Sequence, residues 1–117
     1  MSTAYLVITV VTIAANAWAA AVDLARAKFL LANMAEVGVP QSWLPPLAVL
    51  KAAGALGLLP GLLGERPLGI AAAIGLVLFF AGATATHVHA RVFHNIAFPA
   101  GFLALAVASA VLTVAAH

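Results

Sequence analysis

Three ionisable side chains sit within or at the ends of strongly apolar segments: Asp23, Lys51 and His87. A carboxylate, an amine and an imidazole in one place can pass protons, bind an anion or hold a polar oxygen. Together they suffice for acid–base catalysis on a lipid-soluble substrate. Lys51 is the sharpest of the three. It lies one to two turns inside the run from Pro45 to Leu63 (PPLAVLKAAGALGLLPGLL), where an ammonium is costly unless it is paired or reaches water. Its three donors on a flexible stem suit anion binding or proton transfer. Equally, the stem can carry the charge toward the interface while the ammonium pairs with Asp23. Asp23, Lys51 and His87 are the candidate catalytic residues.

Asn16, His89 and Arg91 are the candidate ligand-binding residues around them. Thr9, Asn16 and Asp23 are spaced by seven, so they share one helix face. That face either forms a packing seam or lines a ligand site. His87 and His89 point about 200° apart on a helix and cannot jointly chelate a metal unless the helix has unwound; ligation by His87, His89 and His94 is the lesser alternative, and no metal site is expected. His87, Arg91 and His94 fall at i, i+4 and i+7, a face able to offer an anion or quinone-oxygen site. The plainer reading is a set of interfacial histidines near lipid headgroups, most of all for His94. His117 is assigned no role.

Four apolar segments must position these groups. Each is about 19–20 residues long, enough at roughly 1.5 Å per residue to cross the hydrocarbon core. They do not alternate polar and apolar residues as barrel strands do, so helices are expected. The first runs from about Ala4 to Val22. Residues 24–37 (LARAKFLLANMAEV) are amphipathic and predict an interfacial helix, stopped by Gly38 and then Pro40. Trp43 suits the headgroup belt. Pro45 and Pro46 open the second span, where a missing N–H costs nothing. Gly54, Gly57 and Gly61 allow close approach of a neighbour, and Pro60 is a potential kink.

Gly64-Glu65-Arg66-Pro67 is a very short turn, so the second and third spans are antiparallel neighbours. The third covers about Leu68–Thr86, with Gly75 and Gly82 on one face. After Arg91–Asn95, with Asn95 as the expected N-cap and Pro99 in the first turn, the fourth runs from about Ile96 to Ala115. Gly101, Ala104 and Ala108 are its expected contact stripe. The predicted fold is all-α: one domain over the 117 residues, a four-helix transmembrane bundle with an amphipathic helix after the first span.

Composition makes the same point independently. The chain is 66% hydrophobic and 7% charged, with a mean hydropathy of +1.18. Soluble domains carry roughly 25% charged residues, and a small domain cannot hide this much apolar surface from water. The solvent is therefore lipid. Five Lys/Arg against three Asp/Glu form no basic run that could track nucleic acid. Zero cysteines exclude disulfides, thiolate zinc sites and cysteine-held iron–sulfur clusters. No phosphate loop, nucleophile elbow or dinucleotide fingerprint occurs. The stretch around Ala17-Trp18-Ala19 imitates a signal-peptide cleavage site, but Met1–Ala4 carry no positive charge, so a retained first span is expected. Arg26, Lys28 and Arg91 on one side against Arg66 on the other place that first side in the cytoplasm and both termini outside.

The runs Gly38-Val39-Pro40, Lys51 to Leu59 (KAAGALGLL), Thr86 to Ala90 (THVHA) and Phe98-Pro99-Ala100 resemble the DoxX-like small integral membrane proteins over nearly the whole chain. The resemblance implies a four-helix membrane protein of bacterial type, and the family's lysine and histidine positions map onto Lys51 and His87. Related proteins are linked to the membrane part of thiosulfate:quinone oxidoreductase and to oxidative-stress complexes. Any thiol chemistry of such relatives is beyond a chain without cysteine.

The leading expectation is a multi-pass cell-membrane subunit whose polar pocket takes a quinone-like or other small amphipathic molecule, within a redox-linked complex. One alternative is a stand-alone membrane enzyme doing isomerisation or epoxide opening. The other is a structural anchor. Expected partners are membrane lipid, a redox partner or a second copy of the chain through its glycine-rich faces, and no nucleic acid.

Overall fold

The computed structural model describes residues 2–116; Met1 and His117 lie outside the described residues. The helices are α1 (Thr3–Ala25), α2 (Lys28–Val37), α3 (Leu44–Leu62), α4 (Arg66–His89) and α5 (Ala97–Ala116), with a 3-10 turn at Gln41–Trp43 before α3. Four of them are long and apolar enough to cross a membrane: α1, α3 with its preceding turn, α4 and α5. The chain is a multi-pass integral membrane protein. Leu24, Leu56, Leu63, Leu78 and Val111 project outward, as a lipid-solvated surface requires.

The helices pack in a ring, α1 on α3, α3 on α4, α4 on α5 and α5 back on α1. Antiparallel register can be followed through named contacts. Close to one end the Tyr5 hydroxyl donates to Gly61 O at 3.2 Å. There the α3 and α4 backbones touch: a Cβ added to Gly61 would stand 2.7 Å from Gly69 Cα, and one added to Gly69 would meet Thr113 Cγ2 at 3.4 Å. Tyr5, Gly61, Gly69 and Thr113 thus mark one level shared by all four spans. Further along, Gly54 faces Leu76 and the rings of Phe80 and Phe102 lie 5.1 Å apart. Leu58, Ala73, Leu76, Phe80 and Ala106 form the apolar core between these levels.

Gly57 and Gly61 do meet α4, against Ala72 and Gly69, whereas an added Cβ at Gly75, Gly82 or Gly101 would meet nothing within 4 Å. The expected α5 stripe is therefore corrected. Gly101 and Ala104 are exposed, and the contact face is Pro99, Ala106, Ser109 and Thr113. Small size alone misled, because in lipid the inward face of a span is marked by polarity as well as by smallness.

Candidate functional site

Asp23, Lys51 and His87 all lie toward the end of the bundle opposite Tyr5, and of the three only Asp23 and Lys51 are in contact. Asp23 falls in the last turn of α1 because the helix continues to Ala25. Arg26 then adopts a left-handed φ of 54° that closes it. A carboxylate there opposes the partial negative charge of the helix C-terminus, so it needs a cation. Lys51 supplies one: its Nζ donates to Asp23 Oδ2 at 2.8 Å, with the side chains 13% and 2% exposed. Side chains on a helix lean toward its N-terminus, which carries the ammonium from within α3 toward Asp23's level. The expected Asp23–Lys51 ion pair is thus present. The ammonium also stands 5.6 Å from the centroid of the Phe79 ring, a cation–π contact that offsets lost hydration.

His87 is buried in the last turn of α4, but its hydrogen bonds go elsewhere. Nδ1 faces Ala83 O at 3.1 Å and Nε2 faces Asn33 Oδ1 at 3.3 Å. Asn95 Nδ2 donates to that same oxygen at 2.6 Å, which pins α2 across the end of the bundle together with buried Met34. A neutral imidazole has one N–H and cannot donate to both oxygens. Rotating the Asn33 and Asn95 carboxamides by half a turn resolves this. Asn33 Nδ2 then donates to Nε2 and to Asn95 Oδ1. Asn95 is thus committed to α2, and the expected N-cap of α5 is corrected: its side-chain oxygen caps nothing.

The remaining candidates disperse. Asn16 is fully buried mid-span, its Nδ2 donating to Thr12 O at 2.9 Å. His89 and Arg91 are exposed. The helix stops at His89 and Arg91 turns left-handed with φ 58°, so His87, Arg91 and His94 do not share a helical face. His94 pairs with Glu36 at 2.8 Å at the exposed rim, and Arg26 donates to Gln41 at 2.6 Å. No group of three or more His, Asp or Glu able to hold a metal occurs among the described residues.

Beside the ion pair, a groove of about 480 Å³ runs between α3 and α4, lined by Leu50, Ala53, Gly54, Ala72, Gly75, Leu76, Leu78 and Phe79. Its lining residues carry no polar side chain, and Phe79 belongs both to it and to the surroundings of the Lys51 ammonium. Sequence reasoning missed Asn33 and Phe79. Asn33 carried a signal: it stands at i+3 from Leu30 and i−4 from Val37, on the apolar face of α2, where a carboxamide must find a partner. Phe79 carried none, being one apolar residue in an apolar span.

Searches of curated proteins and of solved structures each returned no match. A family model, described as the DoxX-like family, matches residues 7–109, a range that holds Asp23, Lys51, the groove, His87 and Asn95. The four-span bundle with its buried Asp23–Lys51 pair belongs to the DoxX-like family.

Proposed function

We propose that this protein binds a small amphipathic, quinone-like molecule in the cell membrane and serves as a membrane subunit of a redox-linked complex. The polar head of the ligand meets Lys51 beside Asp23, and its apolar body occupies the groove between α3 and α4. One observation carries this reading: the Phe79 ring that faces the ammonium at 5.6 Å also walls the groove. A molecule along that groove has its polar end delivered to a charge-assisted donor and its ring to an aromatic face. The groove opens to the lipid face past exposed Leu50 and Leu78, the side from which a lipid-soluble molecule enters. The choice of a quinone rests on the resemblance of the sequence to proteins of quinone-linked membrane complexes. The uncluttered outer faces at Gly82 and Gly101 suit close packing by a partner's helix.

The test uses the full chain in lipid nanodiscs and a decyl-benzoquinone carrying a photoreactive diazirine, with labelled residues mapped by mass spectrometry. Labels concentrated at Leu50–Gly54 and Ala72–Phe79, competed by unlabelled decyl-benzoquinone and lost in the D23N/K51M double variant, are expected. Uniform labelling of outward residues, indifferent to competitor and substitution, overturns the reading. The double variant is used because it leaves no buried charge unpaired.

A further inference from the structure

The polar residues of α1 extend well beyond Asp23. Thr9, Thr12 and Asn16 are also fully buried, as are Ser109 and Thr113 of α5. Two of these hydroxyls are satisfied by their own helices, Thr12 Oγ1 on Ile8 O at 2.7 Å and Thr113 Oγ1 on Ser109 O at 2.6 Å. Thr9 Oγ1, Ser109 Oγ and Asn16 Oδ1 reach no protein partner. In a lipid-embedded bundle such atoms have no bulk water to fall back on.

Register brings the first two together. Tyr5 and Thr113 share a level through Gly61 and Gly69. Because α1 and α5 run antiparallel and pack directly, one turn inward from that level, about 6 Å, leads to Thr9 on one helix and Ser109 on the other. Both are buried, and both present an unpartnered hydroxyl oxygen. Each hydroxyl can donate one hydrogen bond and accept more, a set that fits a molecule which is itself donor and acceptor.

We infer that Thr9 and Ser109 bind a water molecule inside the bundle, bridging α1 and α5, and that Asn16 Oδ1, two turns further along α1, accepts from a second one. The site is independent of the quinone-like ligand, since neither hydroxyl belongs to the groove or to the ion pair. Buried waters occur where otherwise unsatisfied polar groups converge, and a bridging water is nearly equivalent to a direct hydrogen bond. Its consequence is a link between the first and last spans that does not depend on apolar packing.

Two substitutions test it because they remove hydroxyls with little change of shape: Thr9→Val and Ser109→Ala. If water bridges the pair, each single change leaves it with a lost partner and weakens the unfolding equilibrium by roughly fivefold or more. The double variant is then no worse than the poorer single. Water-edited solid-state NMR of the full chain in deuterated bilayers gives the direct readout. Rapid transfer from water to the Thr9 and Ser109 side chains is expected in the parent, with the Thr9 transfer lost in Ser109→Ala. If the seam is dry, Thr9→Val stabilises the protein and no transfer is seen, which overturns the inference. Additive single effects without water transfer mean that each hydroxyl bonds its own helix, and that also overturns it. A shift of stability on exchanging sodium for choline assigns a cation instead and does the same.

Discussion

Replacing Lys51 with methionine keeps the length of the stem and removes the charge, leaving Asp23 at 2% exposure without the ammonium that it meets at 2.8 Å. Breaking one side of a buried pair costs about 3–5 kcal/mol, because the surviving charge is stranded. Replacing both partners by apolar residues of similar size is often neutral or stabilising by about 1–4 kcal/mol. Lys51→Met and Asp23→Leu are therefore each expected to destabilise the bundle by a few kcal/mol, while the double variant returns to within about 1 kcal/mol of the parent or exceeds it. Their coupling is thus large and opposite in sign to the single effects. Equilibrium unfolding in mixed micelles of mild detergent and dodecyl sulfate, followed by Trp18 and Trp43 fluorescence, measures all four corners. A cost below about 1 kcal/mol for Lys51→Met, with single effects that simply add, refutes the reasoning, since that is how two separately solvated surface charges behave.

Three further outcomes follow from the packing and from the seating of α2. Gly61→Ala is expected to cost about 1–3 kcal/mol in the same unfolding assay, because its Cβ would stand 2.7 Å from the Gly69 backbone and overpacked helices must separate. Gly75→Ala, whose Cβ meets nothing within 4 Å, is expected to be neutral or slightly stabilising through helix propensity. Asn33→Leu removes the carboxamide that bonds both His87 and Asn95, so hydrogen exchange of the α2 amides accelerates while that of the core of α4 does not. Unchanged exchange in α2 would show that buried Met34 and the Glu36–His94 pair hold it without Asn33.

The spans were legible because lipid imposes length and apolarity on them, and those are properties of the sequence itself. The Asp23–Lys51 pair was legible for the same reason: two opposite charges in apolar runs of antiparallel helices have few alternatives. His87 was placed at the right end of the bundle, yet its partner is Asn33, because the amphipathic pattern of residues 24–37 says that a helix lies at the interface and not which residue turns inward. Register decides that, and register is set by contacts such as Gly61 on Gly69 that involve residues without side chains. The helix break after His89 was hidden as well. No proline or glycine marks it, and Arg91 takes the left-handed conformation itself, which dispersed the face expected of His87, Arg91 and His94.

The contact between Asp23 and Lys51 is best measured directly in bilayers, by the dipolar coupling between ¹⁵Nζ of lysine and ¹³Cγ of aspartate in selectively labelled protein. Among the described residues Lys51 and Asp23 are the only lysine–aspartate pair in the bundle interior, Lys28 being at the exposed start of α2. Strong dephasing at contact distance, absent in Lys51→Met, is the predicted result. An undephased Asp23 carboxylate, with the Lys51 ammonium exchanging freely with headgroup water, would contradict it.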